Sequence, residues 1–434
     1  MDGPFVGVAG FLAVLVLILF GMPVAVAMGL VGALGFGLVN GFAGVAFVLS
    51  SAAFEAVFPY SLSVIPMFVA MGVFAARAGL SASLFAAAYA SIGRLRGGLV
   101  LATIAACAGF GAICGSSLAT VATMCRVAWP EMRARGYDPG FAAAAIAAGG
   151  TLGVLIPPSI LLAIYGLLTE QSIGALFAAA LLPGLVATAL YMLGAGLALW
   201  LRPELAPAGT QVHAGERRQR LREVRSVALL FLLVVGGIYG GVFSPTEAAA
   251  VGAFGTAFLA WRRGGLNRFV LADCIGETAR VTGMIFFVLV GATIFNYFVE
   301  TTGLPQRLVG AIEAAAIGPL PAMLAIILFY LLLGCFMDSL SMILLTIPFV
   351  FPVVTALGWD PVWFGIMVVT VAEIGLITPP VGMNLFVIQG TAGEVDMATL
   401  VRGLPPFLLA DLVRILVLLA FPGLCLWLPS LIRI

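Results

Sequence analysis

The sequence predicts an all-α polytopic membrane protein, folded as an inverted repeat with two re-entrant hairpins and two transmembrane helices broken at Pro-Pro. Three observations predict it. The chain is 63% hydrophobic and 9% charged, whereas a soluble domain carries about 25% charged residues. Residues 338–380 repeat residues 116–158 without a gap, at an offset of 222 (338 − 116). Each copy also places Pro-Pro inside an apolar run, at Pro157-Pro158 and Pro379-Pro380.

The repeat rests on residues that chance rarely aligns. Ser117-Leu118 matches Ser339-Leu340, and Gly136-Tyr-Asp-Pro139 matches Gly358-Trp-Asp-Pro361. Gly153-x-x-x-Pro157-Pro158 matches Gly375-x-x-x-Pro379-Pro380, and the same offset pairs Pro23 with Pro245 and Glu55 with Glu277. A duplicated membrane protein with a helix breaker at the same place in each half points to a secondary transporter, with its site between the broken helices. The boundaries are a first repeat over 1–201, a cytoplasmic linker over 202–225 and a second repeat over 226–434.

Taken in order, apolar runs near the spanning length of about 17–25 residues fall at 4–21, 23–40, 60–77, 141–168, 174–200, 226–242, 245–261, 282–299, 363–390 and 399–427. Residues 5–20 lack a basic flank and a cleavage site, so they predict a first span rather than a signal peptide. Segments 97–129 and 319–356 each have two apolar arms around a polar centre, Cys114-Gly-Ser-Ser117 and Phe336-Met-Asp-Ser-Leu-Ser341. Each is a pair of short spans or a re-entrant hairpin. The polar tip favours the hairpin, because such backbone is tolerated only inside protein or along a cavity. Segments 46–59 and 268–281 predict short amphipathic helices lying along the membrane surface.

Arginine placement orients the chain, since cytoplasmic loops are enriched in Arg. With the N-terminus periplasmic, Arg77, Arg94, Arg96, Arg126, Arg133, Arg135, the linker arginines, Arg262 and Arg263 all fall inside. The first hairpin then opens inside and the second outside, which makes the repeat inverted. The only histidine, His213, lies in the solvated linker, which argues against a proton-relay role. All 20 Lys+Arg residues are Arg, and the net charge of +1 gives no sign of a nucleic-acid partner. The six cysteines show no CxxC spacing and read as small buried apolar residues.

Pro-Pro removes two N–H donors and obstructs the preceding turn. The freed carbonyls need partners, and a bound cation is one. The hairpin tips add oxygens from Ser116, Ser117 and Thr120, and from Asp338, Ser339 and Ser341. An all-oxygen set suits a hard cation such as Na+, whereas a transition metal prefers His or Cys clusters. Acids within the membrane are costly and are functional candidates by default; Asp338 and Glu373 are the best placed. Ser116 replaces Asp338 in the first copy and Thr151 replaces Glu373, so the two sites are expected to differ in charge. Glu55, Glu277 and Glu247 have structural readings, as interfacial-arm residues and a helix cap, and Glu170 lies near the outer surface. Thr120, Ser159, Ser341, Glu373 and Asn384 are the candidates to meet substrate, with Tyr165, Thr169, Gln389 and Thr391 beside them. No arginine is expected at mid-membrane depth, with Arg126 and Arg307 at the margins.

These residues resemble the large membrane subunit of the tripartite ATP-independent periplasmic (TRAP) transporters. The resemblance covers nearly the whole chain. It is carried by Gly115-Ser-Ser-Leu-Ala-Thr120, Gly150-Thr-Leu-Gly-Val-Leu-Ile-Pro-Pro-Ser159, Ser244-Pro-Thr-Glu-Ala-Ala-Ala250, Phe336-Met-Asp-Ser339 and Ile377-Thr-Pro-Pro-Val-Gly-Met-Asn384. It implies an elevator-type carrier of the wider ion-transporter superfamily, driven by Na+ and residing in the bacterial inner membrane. It further implies a separate small four-helix membrane subunit and a periplasmic substrate-binding protein that delivers an organic acid of the carboxylate or sulfonate class. By carry-over, the first Na+ site would use Ser116, Ser117 and the break from Gly150 through Gly153 to Pro157. The second would use Asp338, Ser339 and the break from Gly375 through Thr378 to Gly382. A single-component Na+-coupled carboxylate or oxyanion carrier of the same superfamily is the alternative. An enzyme is not expected: no His partners Ser116, and Asp338 has no second Asp in a matching span.

Overall fold

The computed structural model describes residues 3–209, 214–393 and 395–432, so His213 lies outside the described residues. Among them the chain forms helices and turns, with no strand. The first half runs α1 (Gly3–Leu19), α2 (Val24–Asn40), α3 (Val45–Glu55), α4 (Val64–Arg77), α5 (Leu80–Ile92), α6 (Gly98–Cys114), α7 (Ser117–Ala134), α8 (Pro139–Leu155), α9 (Ile160–Leu168) and α10 (Ile173–Leu201). The second runs α11 (Ala214–Tyr239), α12 (Pro245–Arg262), α13 (Arg268–Thr302), α14 (Leu304–Ala314), α15 (Pro319–Gly334), α16 (Ser339–Ala356), α17 (Pro361–Gly375), α18 (Met383–Ala392), α19 (Met397–Gly403), α20 (Pro405–Ala420) and α21 (Gly423–Leu431).

Helix boundaries recur at the sequence offset, and shared punctuation explains why. Gly136 and Gly358 take φ of +73° and +79° and close the preceding turn. Asp138 and Asp360 then cap the next helix: Oδ1 of Asp138 accepts from the Phe141 N–H at 2.8 Å, and Oδ1 of Asp360 from the N–H groups of Val362 and Trp363 at 2.8 and 2.9 Å. Pro139 and Pro361 occupy the first helical position, where a missing N–H costs nothing. Each Gly-x-Asp-Pro motif is therefore the joint between a hairpin and a broken helix.

The Tyr60–Arg77, Ile173–Leu201, Arg268–Thr302 and Ser339–Ala356 helices are each long and apolar enough to cross a membrane alone. The pairs α8/α9 and α19/α20 pass the same test as bent units, at 44° and 50°. Helix α8 is buried from Gly140 to Leu155 and α17 from Trp363 to Gly375, so the segments leading into the two breaks form the centre of the molecule. Hairpin α6/α7 packs on α8 and hairpin α15/α16 on α17, while α10 and α20 close the other side. Helices α2 and α13 pack together in a second group, as do α4 and α12.

Four features depart from the sequence expectation. Segment 268–281 is not a separate surface helix, because α13 continues through it to Thr302. The first half has Pro59 between α3 and α4, and Val281 stands at its counterpart, so nothing interrupts the second arm. Helices α5 and α14 occupy stretches expected as connections. The linker is partly helical: α11 starts at Ala214, and Arg220 lies 3.6 Å from Glu216 and 3.8 Å from Glu223 at helical spacing. Finally, the run 399–427 is three helices, divided at Leu404-Pro405-Pro406 and at Phe421-Pro422.

Candidate functional site

Each hairpin tip is a helix start with a capping side chain. In the first, Gly115 (φ +62°) ends α6, and the Ser116 hydroxyl caps α7 by accepting from the Ala119 N–H at 3.4 Å. The Thr120 hydroxyl donates back to the Ser116 carbonyl at 2.7 Å. In the second, Asp338 holds the same position and its Oδ2 accepts from the Ser341 N–H at 3.0 Å. The substitution of Ser116 by Asp338 thus keeps one capping role and adds a charge at the tip.

The breaks differ in how they satisfy their backbone. Pro157 and Pro158 cannot donate, so the carbonyls of Gly153 and Val154 lose the partners they would have in a continuous helix. Among the described residues no other donor meets those two carbonyls. In the second break the equivalent oxygens are engaged. The Gly375 carbonyl accepts from the Thr378 N–H at 3.1 Å and the Leu376 carbonyl from the Asn384 N–H at 3.0 Å. The Thr378 hydroxyl donates to the Ile374 carbonyl at 2.7 Å. Ser159 is fully buried and caps α9 through the Leu162 N–H at 3.2 Å, whereas Gly382 (φ +63°) opens α18 without a side-chain cap.

Glycine lets the tips approach the breaks. A Cβ on Gly111 would lie 2.2 Å from Cα of Gly153, and one on Gly375 would lie 2.4 Å from Cα of Gly334. A Cβ on Gly150 would strike the Val121 side chain, also at the hairpin. Gly150, Gly153 and Gly375 therefore have a packing reason to be glycine, independent of any ion.

Two side-chain bonds tie these parts together. Asn384 at the second break donates from Nδ2 to the Ser117 hydroxyl at 3.0 Å and to the Ala147 carbonyl at 3.2 Å, joining the two halves. Ser339 donates to Oε1 of Glu373 at 2.9 Å, holding the second tip against α17. Among the described residues, Oε2 of Glu373, a residue 1% exposed, has no hydrogen-bond partner. An orphaned carboxylate oxygen in so buried a place is costly, and the Ser339 hydroxyl stands beside it as a second oxygen.

The expectation that no arginine lies at mid-membrane depth is overturned. Arg414 is 1% exposed within α20, and its Nη2 lies 2.8 Å from Oδ1 of Asp411, without hydrogen-bond alignment. The Tyr191 hydroxyl donates to the same Oδ1 at 2.8 Å and lies 3.0 Å from the Thr151 hydroxyl. The guanidinium carbon sits 5.6 Å from the Tyr191 ring centroid, a cation–π distance. The i,i+3 spacing of Asp411 and Arg414 was a readable signal, obscured because the run 399–427 reads as one plain terminal span.

Other expected residues fall outside this cluster. Arg126 and Arg307 are exposed. The Tyr165 hydroxyl donates to the Pro361 carbonyl, Thr169 to the Tyr165 carbonyl and Thr391 to the Val387 carbonyl. Gln389 is half-buried and Glu170 is exposed. Glu247 completes a capping box with Ser244, Glu55 accepts from the Tyr297 hydroxyl, and Glu277 lies 3.8 Å from Arg77.

A family model described as the tripartite ATP-independent periplasmic transporter, DctM component, matches residues 11–424. The chain is 36% identical over 385 residues to the C4-dicarboxylate TRAP transporter large permease protein DctM of Pseudomonas aeruginosa, covering 87% of this chain and 88% of that one. It is 34% identical over 429 residues to the ectoine/5-hydroxyectoine TRAP transporter large permease protein UehC of Ruegeria pomeroyi, covering 97% and 98%. Among solved structures, the YdaH transporter of Alcanivorax borkumensis shares the fold, with a TM-score of 0.61 at 17% identity over 88% of this chain and 89% of that chain.

Proposed function

Because this integral membrane protein belongs to the DctM component family of the tripartite ATP-independent periplasmic transporters, we propose that it carries an organic acid inward across the bacterial inner membrane, coupled to Na+. The observation that carries the reading is the convergence of two hairpin tips on two broken helices, joined across the halves by Asn384 and Ser117. Beside that joint stand the unpartnered Oε2 of Glu373 and the free carbonyls of Gly153 and Val154.

In this reading the two ions meet different chemistry. The first is held by neutral oxygens: the Gly153 and Val154 carbonyls, with Ser116 and Ser117. The second is held by charged ones: Glu373 Oε2 and the Asp338 carboxylate, with Ser339. Neutralising Glu373 removes the cost of its buried charge and strengthens the contact already made between the second tip and α17. Substrate then meets Ser117, Asn384 and the N-terminal ends of α7 and α16, whose N–H groups favour an anion. Coupling follows if each ligand is bound better when the other is present.

The hairpins, the broken helices, α10 and α20 form one packed body, supporting an elevator motion of that body against the group containing α2, α4, α12 and α13. The arginine distribution supports a periplasmic N-terminus and hairpins that open on opposite faces. The tripartite periplasmic family description and the relatives' designation as large permease proteins support two partners, which we take to be a small four-helix membrane subunit and a periplasmic substrate-binding protein. Reconstituted uptake tests this reading. Succinate or ectoine should accumulate in liposomes only with an inward Na+ gradient, and only when the binding protein and small subunit are supplied. Uptake by this chain alone would instead favour a single-component carrier, and uptake indifferent to Na+ would remove the coupling.

A further inference from the structure

We propose that the groove between α10 and α20 is a binding site for an anionic phospholipid of the cytoplasmic leaflet. The groove encloses about 1070 Å³, at the upper end of the roughly 300–1,000 Å³ of small-molecule pockets. Its long walls are apolar: Leu190, Leu193 and Leu197 from α10, and Leu409 and Val413 from α20. The α10 positions recur at helical spacing and so form one continuous face. Leu193 and Leu409 are 68% and 64% exposed, so the groove opens sideways, where acyl chains would lie.

The shape follows from two local features. Gly194 brings α10 onto α20: a Cβ there would lie 2.8 Å from the Pro406 carbonyl oxygen. The 50° bend between α19 and α20 then turns the chain away and widens the mouth. At that mouth stand Arg202, ending α10, and Arg402, in the last turn of α19. Neither makes an ion pair with another described residue. Asp138 also lies at the mouth; its Oδ1 caps α8, and its one carboxylate faces two arginines. Arg96 reaches the Ala206 carbonyl at the same end, so this is the arginine-rich face.

Charge complementarity selects the occupant. Two arginines against the one carboxylate of Asp138, at one end of a largely apolar slot, match a phosphate headgroup followed by acyl chains. The cytoplasmic leaflet supplies anionic headgroups, each nearby arginine adding about 1 kcal/mol of attraction. A helix of a partner protein would face the same slot without polar groups along its length to fix its register. The site concerns the membrane around the chain and stands apart from the transport reading.

The experiment is native mass spectrometry of the full chain from micelles holding equal phosphatidylglycerol and phosphatidylethanolamine. Wild-type protein should retain phosphatidylglycerol in preference. The Arg202→Gln/Arg402→Gln double variant should retain it roughly thirtyfold less. An Arg217→Gln/Arg218→Gln control on α11 should match wild type; both control sites are exposed, as are Arg202 and Arg402, so folding is expected to survive. A photo-cross-linking group at Leu409 should label lipid. Equal retention by the double variant, equal loss in the control, equal retention of the neutral lipid, or labelling of the small membrane subunit at Leu409 would each overturn the proposal.

Discussion

Nη2 of Arg414 lies 2.8 Å from Oδ1 of Asp411, one helical turn away on α20, and both side chains are buried. Removing one partner of such a pair strands the other charge at a cost of about 3–5 kcal/mol, whereas replacing both with apolar residues is far milder. Arg414→Leu should therefore unfold well below wild type in a thermal scan, and Asp411→Leu/Arg414→Leu should recover most of the loss. A double variant no more stable than the single one would show that the pair does not act as a unit.

Asp338 caps α16 and is also offered as an ion ligand, and the two roles separate by substitution. Asn is as good a cap as Asp, so Asp338→Asn should change stability little while weakening the extra thermal protection that Na+ gives over K+. Asp338→Ala should lose both, the cap being worth about 1 kcal/mol. Undiminished Na+ protection in Asp338→Asn would take Asp338 out of the site.

Glu373 presents one bonded and one free carboxylate oxygen to the second tip. Glu373→Gln keeps an acceptor for the Ser339 hydroxyl and removes the charge. It should fold at least as stably without Na+, since it no longer buries an underpaired carboxylate, and it should lose most Na+-driven uptake. Wild-type Na+ dependence in this variant would exclude Glu373 as a ligand.

Asn384 bonds the first hairpin and α8 from the second half, and its counterpart at the repeat offset is Leu162. Asn384→Leu, which makes the two breaks alike, leaves the Ser117 hydroxyl without its cross-half partner. Uptake should fall by roughly tenfold or more, the effect of losing one buried hydrogen bond at the site, while the protein still elutes as one species in size-exclusion chromatography. Full uptake would show that the joint is not needed.

Gly375→Ala should cost about 1–3 kcal/mol by overpacking, because its Cβ meets the backbone of Gly334 rather than a movable side chain. Gly276→Ala is the control, since nothing lies within 4 Å of a Cβ there. Equal melting temperatures for the two variants would refute the close approach.

Much of this architecture was legible because it is written in residues with one physical meaning. Proline removes a donor, glycine permits a left-handed turn, and Asp before Pro starts a helix, so both hairpins and both breaks were readable from punctuation alone. The pairing of Ser339 with Glu373 was within reach, since both were singled out on neighbouring elements. What stayed hidden needed distance information. Nothing local says that Asn384 would reach Ser117, or that Tyr191 would bridge Thr151 to Asp411. Interfacial periodicity also misled at 268–281, where amphipathic character says how a helix lies and not where it stops.

The uninterrupted α13 has a mechanical consequence. Its 35 residues extend about 52 Å at 1.5 Å per residue, against a hydrocarbon core of about 30 Å. It is one continuous helix, longer than the apolar layer it would cross. Its counterpart in the first half is interrupted at Pro59, and α3 is instead held against α13 by the Tyr297 hydroxyl, which donates to Glu55. One copy of the duplicated arm is thus a continuous rod and the other a corner, so the same ancestral segment serves two different mechanical shapes in the two halves.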